Sequence, residues 1–306
     1  PLRDTDFPTI DPADPNKLTP EEQDIIDGLV SSFRRSEKLQ IHTRFLYSVG
    51  SIYRRHNGNL LYHGCIPCDG NGEFMEFSLY SDTPLKGRAF LDWADRLARQ
   101  GYFAPDGSME RLRGLDFLWF LWCGRNSPIC GRTKITTFER ALIEDKASYT
   151  EPKNPYYVYY GSEEFCRRIL DDFDLHKPWS RIINGHMPVK VKEGEDPRKG
   201  GGRLVVIDGG FCKAYHKQTG IAGYTMFFSS HGMRIAAHEP FTTREEAIHG
   251  KKDITSHSFI VENLPRRLMI SDTDAGEGIK RRIEDLNALL DAYRSGTIKT
   301  DSTGRI

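Results

Sequence analysis

The chain has 306 residues, with 43 basic and 43 acidic side chains and a formal charge of zero near neutral pH. Balanced charge argues against a protein that holds nucleic acid or a membrane surface by its overall charge, and no apolar run reaches the roughly 20 residues of a bilayer span. With 38% apolar and 28% charged residues, the sequence reads as a soluble globular protein of one large or two ordinary domains.

Residues 1–18 open on Pro1 and run through Asp11-Pro12-Ala13-Asp14-Pro15, which is expected to be an extended linker from an upstream half. Residues 19–298 then carry the folded part, and 299–306 form a tail. Thr19-Pro20-Glu21-Glu22 predicts a helix start, with a capping hydroxyl, proline in the first turn and acids facing the helix dipole. Ile25, Ile26, Leu29, Val30 and Phe33 supply its apolar face, and a second helix is expected over 37–49. Asn57-Gly58 between residues 53–56 and 59–62 predicts a hairpin with a tight primed turn, which delivers His63.

A helix is predicted over 87–100, stopped by Gly101. Residues 116–122 are dense in aromatics and leucine, and Trp119 and Trp122 are expected to pack inside a buried helix. Further helices are expected over 137–145 and from the Ser162 cap to Phe173. A strand over 179–184 leads to His186. Residues 192–202 read as a charged, glycine-rich mobile loop, and Leu204-Val205-Val206-Ile207 as a continuous apolar strand ending at Asp208-Gly209-Gly210. Residues 223–230 and 233–238 predict a second hairpin turning at His231-Gly232. Ile279, Ile283, Leu286, Leu290 and Tyr293 mark an amphipathic last helix closed by Gly296. The mixture places the chain in the α/β (α+β) class.

The six cysteines, Cys65, Cys68, Cys123, Cys130, Cys166 and Cys212, are too sparse for a disulfide framework. With no secretory signal pattern, the expected compartment is the cytoplasm. Cys65-Ile66-Pro67-Cys68 lacks a second pair and runs into the turn Asp69-Gly70-Asn71-Gly72, so incidental cysteines are expected there.

Two segments carry the chemistry. In Leu60-Leu61-Tyr62-His63-Gly64 and in Arg181-Ile182-Ile183-Asn184-Gly185-His186, an apolar run of strand character ends at a histidine beside a glycine. A strand fixes the imidazole, and the glycine permits a sharp turn with room for a ligand. Neutral imidazoles suit manganese, zinc or iron, so His63 and His186 are candidate ligands to one metal. Such an ion would bind phosphate oxygens and acidify a water for phosphoester hydrolysis. The alternative is two unrelated histidines capping strand ends. Asp208 ends a strand too, where open α/β sheets place functional groups, or it simply forms a turn. Arg125, Arg132, Lys134 and Lys213 lie in glycine-containing loops and could meet a sugar phosphate, while His216, His231 and His238 have no second signal beside them. No G-x-S-x-G elbow, phosphate loop of the G-x-x-x-x-G-K-S/T type or G-x-G-x-x-G fingerprint is present.

Asn57-Gly58-Asn59-Leu60-Leu61-Tyr62-His63-Gly64-Cys65-Ile66-Pro67 resembles the bacterial class 3 fructose-1,6-bisphosphatases. So do Thr137-Phe138-Glu139-Arg140, Lys153-Asn154-Pro155-Tyr156-Tyr157, Ile183-Asn184-Gly185-His186-Met187-Pro188-Val189 and Ile207-Asp208-Gly209-Gly210-Phe211, in the same order along nearly the whole chain. That family belongs to the calcineurin-like metallophosphoesterases. The resemblance implies a β-sandwich flanked by helices, a two-metal manganese centre at strand ends, and removal of the 1-phosphate from fructose 1,6-bisphosphate in gluconeogenesis. His63 then matches the His-Gly motif and His186 the Gly-His motif, both on one metal.

Pro188 stands where many relatives in the superfamily place a second histidine. The front-half motifs Gly-Asp-x-x-Asp-Arg and Gly-Asn-His-Asp/Glu are missing from this sequence, and Asp-x-His occurs only as Asp174-Leu175-His176, without those companions. The resemblance is therefore to a C-terminal portion, expected to be inactive alone and to need the N-terminal half or a subunit that supplies it. Its catalytic residues would lie in that half. Arg125, Arg132 and Lys213 are the substrate-binding candidates, the sugar bisphosphate is the expected small-molecule partner, and a homo-oligomer is compatible. A non-catalytic binding module that kept the scaffold is the alternative from another class.

Overall fold

A computed structural model describes residues 1–210, 212, 215–221, 223–239, 243–250 and 256–299. It divides into two units: Pro1–Ile52 with Gly64–Val158, and Tyr53–His63 with Tyr159–Ile306.

The first unit is helical. Thr19 and Glu22 form the reciprocal capping box at the start of α1 (Pro20–Arg35), and Ser36 caps α2 (Glu37–Val49). Neither helix buries a residue, and Ile25, Ile26, Leu29, Val30 and Phe33 are exposed. The end of α2 is tied down by Arg99, which donates to the carbonyls of Tyr47 and Gly50, and by Tyr102 stacked on Tyr47 at 4.4 Å. Arg99 and Tyr102 belong to α3 (Gly87–Phe103), which pairs with α4 (Met109–Cys123).

Gly101 does not stop α3. It lies inside the helix, where its missing side chain lets Gly114 of α4 approach: a Cβ on Gly101 would sit 2.7 Å from the Gly114 carbonyl carbon. Nor is α4 buried all round. Gly114, Phe117 and Leu121 face inward, whereas Trp119 and Trp122 are 65% and 62% exposed and meet edge-to-face at 5.0 Å. Two apolar stripes share this helix, and aromatic density alone does not say which one is covered. Trp119→Ser with Trp122→Ser should therefore lower stability by less than about 1 kcal/mol, not by the roughly 3–5 kcal/mol of a buried aromatic. A urea titration of the double variant distinguishes the two. The unit also holds α5 (Thr137–Leu142) and all but the last residue of the short α6 (Tyr156–Tyr159), and Leu2 bridges to Ile143.

The second unit holds both sheets. β1 (Tyr53–His56) and β2 (Asn59–Tyr62) form the expected hairpin, with Asn57 and Gly58 at φ of 49° and 83°. β2 is followed across the sheet by β3 (Ile182–Asn184), β5 (Leu204–Val206) and β4 (Arg198–Lys199), in the order β1-β2-β3-β5-β4. β2, β3 and β5 run parallel, with Tyr62 opposite Asn184 and Asn184 opposite Val206. All six residues of β3 and β5 are buried, as expected of parallel strands covered on both faces.

The loop expected to be mobile is instead folded against this sheet. β4 pairs with β5, and Gly200 lies over Cys166, whose thiol a Cβ there would meet at 2.5 Å. Burial pushes that thiol up to about 12. Cys166 belongs to α7 (Glu163–Asp172), capped by Ser162 and buried along Phe165, Cys166, Ile169 and Leu170.

The second sheet is β6 (Gly223–Ser229), β7 (Gly232–His238) and β8 (Ser256–Asn263), all antiparallel. Sequence reading did not find β8. Short α8 (His216–Thr219) and α9 (Arg244–His249) precede β6 and β8. The last helix, α10 (Asp274–Arg294), is held at its start by a reciprocal pair: Asn57 N donates to Asp274 Oδ2 at 2.7 Å, and Asp274 N to Asn57 Oδ1 at 3.1 Å. Its Ile279, Ile283, Leu286 and Leu290 are exposed. The tail at 300–306 lies outside the described residues. Two sheets with helices in one chain make the class α+β.

Candidate metal centre

Three adjacent parallel strands, β2, β3 and β5, release the chain at the same edge. His63 follows β2 directly, Gly185-His186 follow β3, and Ile207-Asp208 follow β5. The carboxyl edge of such strands is where open α/β sheets gather functional groups.

His63 and His186 meet there. His186 Nδ1 lies 3.2 Å from His63 Nε2, with ring centroids 5.1 Å apart and planes at 83°. Nitrogens at that distance suit an N–H···N contact between neutral rings. They also have the spacing of neighbouring ligands on one ion with metal–nitrogen bonds of about 2.0–2.1 Å. A pair of imidazoles suits a borderline cation such as zinc or iron, whereas manganese, a harder ion, would call for oxygen ligands beside them.

The backbone explains how two residues 123 positions apart converge. The His63 carbonyl accepts from Gly185 N at 3.1 Å and from Asn184 Nδ2 at 3.1 Å. The next residue, His186, has φ of 67°, in the left-handed region, and Met187 N closes a three-residue turn onto the Gly185 carbonyl at 2.8 Å. The two motif glycines serve packing. A Cβ on Gly64 would lie 2.0 Å from the Pro128 carbonyl oxygen, and one on Gly185 would lie 3.1 Å from His63 Nδ1. Neither has positive φ. Close approach, not a sharp turn, is what requires glycine at both.

Asp208 builds its own turn: Oδ1 accepts from Gly210 N, and its carbonyl accepts from Val189 N, both at 2.9 Å. Among the described residues no group of three or more His, Cys, Asp and Glu is arranged to hold a metal. Lys213 lies outside the described residues.

Arg125 and Arg132 belong to the first unit. Arg125 is exposed in the turn after α4. Arg132 is committed to Glu151, Nη1 to Oε2 at 3.2 Å. Burial pushes the Glu151 carboxyl up, but hydrogen bonds from the Thr136 side chain and backbone, with Arg132 and Arg140 nearby, hold it below its ordinary value. Lys134 donates to the Ser148 carbonyl at 3.0 Å. Cys65 and Cys68 are buried, and burial carries the Cys65 thiol well above its ordinary value, with Cys68 and Cys130 adding to it. His238 is engaged within the second sheet by Thr225 and Ser256, His231 forms the turn before β7, and His216 opens α8.

The residue that sequence reading missed is Asn184. An asparagine ending an apolar strand, among buried aliphatic neighbours, was the signal available.

The model of the Firmicute fructose-1,6-bisphosphatase family matches residues 1–295. A class 3 fructose-1,6-bisphosphatase of Clostridium botulinum (strain 657 / Type Ba4) is 50% identical over 305 residues, 100% of this chain and 46% of that protein. One from Clostridium novyi (strain NT) is 48% identical over 298 residues, 97% of this chain and 45% of its own length. The chain thus spans about half the length of these relatives. No solved structure matches it.

Proposed function

Because the chain belongs to the Firmicute fructose-1,6-bisphosphatase family, we propose that it is the portion of such a phosphatase that carries His63 and His186. The remaining length of the family polypeptide would supply the anionic ligands and the general acid. The substrate is fructose 1,6-bisphosphate, and the products are fructose 6-phosphate and phosphate. The setting is gluconeogenesis in the cytoplasm. No described helix is long and apolar enough to cross a membrane.

The observation that carries this reading is the 3.2 Å approach of His63 Nε2 and His186 Nδ1 at the carboxyl edge of three parallel strands. When bound, manganese supplies positive charge for the phosphoryl oxygens and acidifies a water. The chain's own part would be to bring two imidazole nitrogens within 3.2 Å of each other at strand ends. Rigid strand ends keep them there, so little reorganisation accompanies the reaction. Of the basic candidates, Arg132 is held by Glu151, whereas Arg125 is exposed.

The test is phosphate release from fructose 1,6-bisphosphate with added manganese. This chain is assayed alone and after co-expression with a polypeptide covering the rest of the relatives' length. Turnover is expected to be negligible alone and to rise by at least about 10³-fold with the second polypeptide. Equal, robust turnover in both samples would refute the division of labour. No turnover in either, with both parts folded and associated, would refute the phosphatase reading.

A further inference from the structure

We propose that Asn184 is a positioning residue that sets the distance between the two imidazoles. The proposal rests on the reading of His63 and His186 as ligands of one cation. Asn184 is 1% exposed, and its Nδ2 donates to the carbonyls of Tyr62 at 3.3 Å and His63 at 3.1 Å. Tyr62 is the last β2 residue paired with β3. Beyond it the paired register ends: Gly185 N still reaches the His63 carbonyl at 3.1 Å, and the Asn184 side chain adds a second donor to that same oxygen.

On its other side, the Asn184 carbonyl accepts from Ile207 N at 2.9 Å. One residue thereby fastens the ends of β2 and β5 to the end of β3. Immediately downstream, Gly185 and His186 enter the turn with His186 in the left-handed region. A side chain in such a backbone persists only where its surroundings hold it. Asn184, two residues before it, is pinned by Ile207 N on one side and grips the His63 backbone on the other, which fixes where that turn begins. The amide is also out of keeping with its place. Ile182, Ile183, Leu204, Val205 and Val206 fill the rest of β3 and β5, and a buried carboxamide is tolerated only where its donors are used. Here they are used on the carbonyls next to a candidate ligand, as groups behind metal-binding histidines commonly are.

The test is a titration of Mn²⁺ into the 306-residue chain, following the electron paramagnetic resonance signal of the free ion. Asn184→Leu keeps the volume and removes the polar group; Asn184→Asp keeps the shape and removes the donors. Both are expected to weaken manganese affinity by about 10- to 100-fold while melting remains cooperative. Affinity within twofold of the parent in folded variants would overturn the positioning role. His63→Ala and His186→Ala are run beside them. If these lose binding while the Asn184 variants keep it, only the positioning role fails. If they bind like the parent, or the parent takes up no manganese, the two-imidazole reading fails and the proposal with it. Should neither Asn184 variant fold, the unmodified chain decides by NMR. Slow exchange of the Asn184 side-chain amide protons, lost together with the His186 backbone amide as denaturant is raised, supports the role; fast exchange under native conditions overturns it.

Discussion

Gly114→Val should separate α3 from α4 and cost the first unit about 3–5 kcal/mol, a large share of a typical domain's total. The reason is steric and local. A Cβ at Gly114 would lie 2.2 Å from Gly101 N, 2.4 Å from Gly101 Cα and 2.8 Å from the Leu97 carbonyl oxygen. All three are backbone atoms of one helix, so no side-chain rotation relieves the clash. The helices must move apart, and what they carry between them goes too. Phe117 loses its 5.0 Å edge-to-face contact with Trp93, and the Phe90 neighbourhood, where Phe77 stacks at 4.0 Å, opens. Urea titration followed by tryptophan fluorescence gives the loss directly. Gly28→Ala is the matched control. Gly28 lies inside α1 with nothing within 4 Å of its Cβ, so alanine there should add up to about 1 kcal/mol of helix stability. A neutral Gly114→Val would mean that the helix crossing is looser than the contacts require.

That pair of glycines also shows what could be read from the sequence. Elements marked by local chemistry were legible: the Thr19-to-Glu22 box, the Asn57-Gly58 turn, the Ser162 cap and the Val205-Val206 run all act within a few residues. Features decided by distant partners were not. Gly101 reads as a helix stop until Gly114 is seen against it. Trp119 and Trp122 read as core because a helix with two apolar stripes does not announce which is covered. β8 follows a charged stretch and alternates only weakly, and its pairing with β7 carries a register shift between Met233 and Arg234. At the site, the two histidines stood out because each ends a strand. Asn184 did not, because its role depends on carbonyls 121 and 122 residues upstream.

The exposed stripes have a bearing on the site as well. Ile25, Leu29 and Phe33 on α1, Trp119 and Trp122 on α4, and Ile283 and Leu290 on α10 leave more apolar surface uncovered than isolated hydrophobic residues on a protein surface would. The proposed phosphatase is assembled from more polypeptide than this chain.

In that assembled enzyme, His63→Ala and His186→Ala should each lower phosphate release from fructose 1,6-bisphosphate by about 10³-fold at fixed manganese. A loss of that size corresponds to roughly 4 kcal/mol of transition-state stabilisation, the scale expected when the positive charge facing the phosphoryl oxygens is lost. Part of the loss should be recoverable. A site with one imidazole left still binds the ion, only more weakly, so raising manganese should refill it by mass action. The doubly substituted protein should not respond. His257→Ala is the control: His257 sits on β8, exposed and paired with Glu239 at 3.3 Å, and its loss should leave turnover within about twofold. The decisive comparison is the manganese dependence. If either single variant kept full turnover at low manganese, the 3.2 Å approach of the two rings would be a hydrogen-bonded pair and nothing more. If both lost turnover without any response to added manganese, the rings would be acting on the substrate directly.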